Sequence, residues 1–117
     1  MPKSKLRTQS MDFAVSIINL VKCLKEKRES IISNQIGRSG TSIGANIREA
    51  KYAHSRPDFI VKLQIALKEC YETEYWIEIA HKASIISDDV AITVLHDCGS
   101  IRRMLISSIN TAKENAK

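Results

Sequence analysis

The chain has 117 residues, with 18 Lys or Arg against 13 Asp or Glu, a formal net charge of +5, a hydrophobic fraction of 44% and a charged fraction of 26%. That length suits a single domain around one core, and the apolar content excludes a chain too polar to fold. Apolar runs fall far short of the roughly 20 residues of a membrane span, and Met1 to Ser10 lacks a signal-peptide core, so a cytoplasmic protein without a membrane partner is expected.

The first helix is predicted from about Thr8 to Lys27, because Phe13, Ile17, Leu20, Val21 and Leu24 recur at spacings of three and four. The charged run Lys25 to Glu29 closes it. A second helix is predicted over Ile31 to His54, with Ile32, Ile36, Ile43, Ile47 and Ala50 on one face. Gly37, Gly40 and Gly44 interrupt it. Each interior glycine costs about 1 kcal/mol relative to alanine, so three so close together imply either close approach by another backbone or a loop at Arg38 to Thr41.

His54 to Arg56 marks a stop, after which Ser55, Pro57 and Asp58 give a capping hydroxyl, a first-turn proline and an acid near the positive helix end. The third helix is predicted over 57–84, its seam traced by Phe59, Leu63, Ala66, Cys70, Thr73, Ile77 and Ala80. Ile65, Glu69 and Trp76 share a flank that a lone bundle would expose to water, which points to a subunit interface. Ser87, Asp88 and Asp89 then open a fourth helix over 88–114, with Ala91, Val94, Leu95, Cys98, Ile101, Leu105 and Ile109 inward. Four amphipathic helices on short links bury their stripes only against one another, so the expected fold is an all-α, up-down-up-down antiparallel four-helix bundle spanning residues 1–117 as one domain.

Chemistry-bearing patterns are sparse. Glu74, Glu78 and His81 include the Glu-x-x-His spacing of di-iron bundles, but the second such pair is missing, so no metal or cofactor is expected. Glu74 and His81 are instead expected at the core edge, paired with a cation such as Arg102. Cys23, Cys70 and Cys98 are odd in number and form no Cys-x-x-Cys pair, and the serines fall in no nucleophile motif, so a non-enzyme is expected. Gly37 to Ser42 lacks the Gly-Lys-Ser/Thr ending of a phosphate loop.

Charge is distributed unevenly. Residues 1–57 carry 11 Lys or Arg against 4 Asp or Glu, and residues 58–117 carry 7 against 9. Arg38, Arg48 and Lys51 of the second helix, with Lys62 and Lys68 of the third, are candidate phosphate anchors for RNA or DNA, and Tyr52 and Tyr71 are candidate stacking partners for bases. The same split also suits packing between subunits or a solvated face.

Residues 36–50, Ile-Gly-Arg-Ser-Gly-Thr-Ser-Ile-Gly-Ala-Asn-Ile-Arg-Glu-Ala, and residues 59–76, Phe-Ile-Val-Lys-Leu-Gln-Ile-Ala-Leu-Lys-Glu-Cys-Tyr-Glu-Thr-Glu-Tyr-Trp, resemble the four-helix-bundle family of proteins encoded in intervening sequences of bacterial 23S rRNA genes. The resemblance covers roughly Phe13 to Leu105. It implies a ring-shaped homopentamer without catalytic residues, related to the accessory variability proteins of diversity-generating retroelements, which bind nucleic acid and a reverse transcriptase. Ser42, Ala45, Asn46 and Glu49 match the motif of the second helix, and Glu69, Glu72 and Trp76 that of the third. Asn46 and Glu49 lie three apart on one helix and are expected to meet Glu69, Lys62 or a neighbouring subunit. Two readings follow: a non-enzymatic oligomer contacting structured nucleic acid through Lys and Arg, or a scaffold whose partner is another protein.

Overall fold

The computed structural model describes residues 4–115; Met1 to Lys3, with Pro2 among them, and residues 116–117 lie outside it. Four helices account for the regular structure: α1 (Lys5–Glu26), α2 (Ser30–Lys51), α3 (Arg56–Lys82) and α4 (Asp88–Asn115). The helices that follow one another in sequence pack side by side, α1 touches α4 more lightly, and the diagonal pairs stay apart. Contacts run in opposite directions along neighbours: Ser10, Ile17 and Val21 of α1 face Gly44, Gly40 and Gly37 of α2, and Glu49 and Arg38 of α2 face Lys62 and Glu72 of α3. The arrangement is the expected up-down-up-down bundle.

The ends of the helices have identifiable causes. Ser4 caps α1 by accepting from the Arg7 amide at 3.3 Å, which starts the helix three residues before the expected Thr8. Ser55 caps α3 through the Asp58 amide at 3.2 Å, and Ser87 accepts from the Val90 amide at 3.2 Å to open α4. α1 and α3 end in the same closure. Arg28 and Ser84 both take φ 61°, and the next residue's amide reaches back to the carbonyl of Leu24 at 2.9 Å and of Ala80 at 2.8 Å. Glycine usually fills that left-handed position, so neither stop carries its usual sequence signal, and α3 ends at Lys82 rather than the expected 84. α2 ends at Lys51, short of the expected His54, where Tyr52 leaves helical geometry.

The core follows the predicted stripes. Ile17, Ile36, Ile43, Ala66, Cys70, Ile77, Cys98 and Leu105 are fully buried, while Leu20, Val21, Phe59 and Leu95 pack against the core half-exposed. α2 runs unbroken through its glycines, so the loop alternative at Arg38 to Thr41 is not taken. Close approach of α1 explains them. A Cβ at Gly40 would lie 2.9 Å from two carbons of Ile17, and one at Gly44 would lie 3.3 Å from the carbonyl oxygen of Ser10.

These distances separate two substitutions. Alanine at either site gains about 1 kcal/mol of helix propensity. At Gly40 it strikes Ile17, which is fully buried and has nowhere to move. At Gly37 it meets only the half-buried Val21 side chain at 3.3 Å. Urea denaturation is expected to show Gly40→Ala destabilised by about 1–2 kcal/mol and Gly37→Ala unchanged or more stable.

Candidate nucleic-acid interface

The α2–α3 seam is polar where most of the core is apolar. Thr73 Oγ1 lies 2.9 Å from Ser39 Oγ and 2.8 Å from the Glu69 carbonyl, and Ser39 Oγ lies 2.9 Å from the Gln35 carbonyl. Both hydroxyls are fully buried, and two protons shared over three short contacts satisfy them and bridge the helices. Outside this pair, Arg38 contacts Glu69 at 3.5 Å and Glu72 more closely, and Lys62 reaches Glu49 at 3.3 Å. Asn46 does not join this network: its Nδ2 donates to the Ser42 carbonyl at 2.9 Å within α2, as a short amide on a helix readily does.

This seam corrects the expectation for the flank of Ile65, Glu69 and Trp76. α2 leans over that side of α3, so Glu69 is buried at 7% exposure and Trp76 packs half-buried against the core. The indole Nε1 of Trp76 is buried and has no hydrogen-bond partner among the described residues. Tyr75 stacks edge-on against its ring at 5.3 Å.

The five candidate phosphate anchors are not gathered on one surface. Arg38 and Lys62 are committed to carboxylates in the seam. Lys68 stands exposed on α3. Arg48 faces α1, where it lines a cleft with Arg7, and Lys51 lies at the end of α2 with its ammonium 5.6 Å from the centre of the Tyr52 ring. The end of the bundle where α2 finishes and α3 begins also holds an open groove of about 640 Å³, lined by Lys51, Arg56, Phe59, Ser107 and Thr111 among others. Arg7, Arg48, Lys51 and Arg56 take part in no ion pair among the described residues. Arg7 and Arg56 were missed from sequence. Ser4 as an N-cap was the available signal for Arg7, since a start at Lys5 puts Arg7 on the same face as Met11 and Ala14.

The remaining candidates are accounted for by structure. Arg102 Nε bonds Glu74 at 3.1 Å and 3.4 Å, and this bond holds the guanidinium more firmly protonated than usual. Arg102 also covers Tyr71 at 5.8 Å, so one face of that candidate stacking ring is occupied. His81 does not share a cation with Glu74; its Nε2 lies 2.6 Å from Asp88 at the start of α4. Glu74, Glu78 and His81 therefore do not converge, and the described residues include no group of three or more His, Cys, Asp or Glu placed to hold a metal ion. Cys98 Sγ sits 3.5 Å from the Cys70 carbonyl. The Cys70 thiol and burial push the Cys98 thiol well above its ordinary range, the reverse of what a nucleophile requires. No described helix is long and apolar enough to cross a membrane.

Comparison with known proteins agrees with this architecture. The family model of the 23S rRNA-intervening sequence proteins matches residues 3–107. A crystal structure of a protein of unknown function from the S23 ribosomal protein family, from Bacteroides thetaiotaomicron, is 50% identical with a TM-score of 0.87. The match covers 89% of this chain and 97% of that one. No curated protein matches.

Glu69 gives the seam a pH dependence. Burial, and then the neighbouring Glu72, raise its pKa above the ordinary 4.5, with Arg38 opposing. An acid raised in the folded state costs stability as it ionises, so that cost is absent below 4.5, grows as pH climbs through the raised value and is fully present above it. Denaturation of wild type and Glu69→Gln across this range is expected to show the variant gaining on wild type as pH rises from 4.5 toward neutrality.

Proposed function

Because this chain belongs to the family of 23S rRNA-intervening sequence proteins, we propose that it is a non-enzymatic, self-associating binding protein that contacts structured nucleic acid through phosphates. The observation that carries this reading is a set of cations from three helices that line clefts at one end of the bundle. Arg38, Lys62 and Arg102 contact carboxylates within the bundle, whereas Arg7 and Arg48 line one cleft and Lys51 and Arg56 one groove at that end, with none of the four in an ion pair among the described residues. Unpaired guanidinium and ammonium groups on a rigid helical frame attract phosphates without reading bases, so the expected target is recognised by shape and charge.

Self-association is supported separately. Met11, Val15 and Ile18 recur along α1 with 50%, 54% and 47% exposure, an apolar stripe that a lone chain leaves in water. A closed ring, the homopentamer implied by the family resemblance, would repeat the basic end around its axis and multiply its local potential. The same stripe supports the rival reading, a scaffold that holds another protein and no nucleic acid.

A fluorescent structured RNA titrated at 50 and 200 mM salt separates the two, with light scattering reporting a mass above the 13.2 kDa of one chain. Binding is expected at low salt and weaker by at least about tenfold at high salt. Lys51→Ala/Arg56→Ala is expected to lose affinity, and Arg38→Ala to keep it. An oligomer that binds no RNA at low salt assigns the protein to the scaffold reading.

A further inference from the structure

Arg7 and Arg48 come from different helices, 41 positions apart in the chain by their numbers, yet they line the same two adjoining clefts between α1 and α2. The inner cleft, of about 230 Å³, has Gly44, Ala45 and Ala14 for its small walls; the outer, of about 270 Å³, opens past Thr8 and Met11. Gly44 sets the depth. Its missing Cβ lets the Ser10 carbonyl lie where an added carbon would be only 3.3 Å away, so the two backbones close together beneath a cleft that both arginines line.

The electrostatics of this place are unbalanced. Two guanidiniums flank one cleft, neither is in an ion pair among the described residues, and like charges held this way repel. The carboxylate that lines the outer cleft, Asp12, does not approach either one within ion-pair distance. Two of the nearby hydroxyls are already engaged, since Ser10 Oγ donates to the Arg7 carbonyl at 3.0 Å and Thr41 Oγ1 to the Gly37 carbonyl at 2.7 Å. The charge in the cleft belongs to the guanidiniums, whose planar forks match tetrahedral oxyanions.

We propose that the Arg7–Arg48 cleft between α1 and α2 is a phosphodiester-binding site, which clamps one backbone phosphate of a bound nucleic acid. The neighbouring Asp12 favours the singly charged diester over a free phosphate dianion. This assignment rests on the nucleic-acid reading for its physiological ligand, but the cleft is testable without it.

The full chain is compared with Arg7→Gln/Arg48→Gln and with Lys22→Gln/Lys82→Gln, which removes the same charge from exposed positions toward the opposite end of the bundle. Circular dichroism and light scattering first verify equal folding and mass. Structured RNA is then titrated at several salt concentrations, and inorganic phosphate is titrated while the backbone amides of Thr41 and Gly44 are followed by NMR. Expected are RNA affinity at least about tenfold lower and a salt slope smaller by about one in the Arg7/Arg48 variant, with the Lys22/Lys82 variant near wild type. Phosphate is expected to shift both amides weakly and saturably in wild type and not in the Arg7/Arg48 variant. RNA binding that is equal in both variants, with no phosphate shifts, overturns the site and leaves the nucleic-acid reading standing. No RNA binding but saturable phosphate shifts lost in the Arg7/Arg48 variant upholds an oxyanion cleft for free phosphate and overturns the nucleic-acid reading. Neither RNA binding nor phosphate shifts overturns both.

Discussion

The glycines of α2 let α1 approach so closely that a Cβ at position 40 would press into Ile17, and this contact fixes how α2 is rotated about its own axis. With Gly37, Gly40 and Gly44 turned to α1, the opposite flank of α2 carries Gln35, Arg38, Ser39, Ser42, Asn46 and Glu49 toward α3. The polar seam is therefore a geometric consequence of the glycine face. Ser39 and Thr73 satisfy each other within it, and Glu69 is drawn under Arg38 at the margin of the core. A hydroxyl pair and a buried carboxylate specify the register of α2 on α3 more sharply than apolar contacts, which slide at little cost.

The same rotation decides which positive charges remain for a partner. Arg38 points into the seam and is neutralised there, while Arg48, nearly three turns further along α2, is carried round to the α1 side and left unpaired beside Arg7. A net charge of +5 thus says little about where positive potential is available, because pairing removes some cations from use and the helix period sets the direction of the rest.

The fold was readable because periodicity reports one helix at a time and all four stripes are strong. The inward residues named for α2 are all buried, and those named for α3 and α4 are buried apart from the half-exposed Phe59 and Leu95. What the sequence did not reveal lies between helices. The ion-pair partners of Arg38 are 31 and 34 positions away, and Arg7 meets Arg48 only through the antiparallel return of the chain. Trp76 and Glu69 were assigned to a flank that a lone bundle would expose, and so to a subunit interface, because a helical wheel shows how residues share a face of α3 but not how far α2 overlaps that face. Asn46 was expected in an interhelical network for the same reason, yet the Ser42 carbonyl one turn back was nearer. The overshoot of α2 and α3 has another cause: the left-handed position after α3 is filled by serine, and Tyr52 ends α2 with no glycine or proline beside it.

The matching closures at Arg28 and Ser84 divide the bundle into two helical hairpins of one design, α1 with α2 and α3 with α4. Each turn is short and hydrogen-bonded, so bringing its two helices together fixes few residues and loses little chain entropy. The α2–α3 link is just as short, although it lacks that closure, and Glu49 and Lys62 pair across it only 13 positions apart. Every principal contact between helices is therefore local in sequence, and a chain of this kind reaches its native pairing by short loop closures that favour rapid folding.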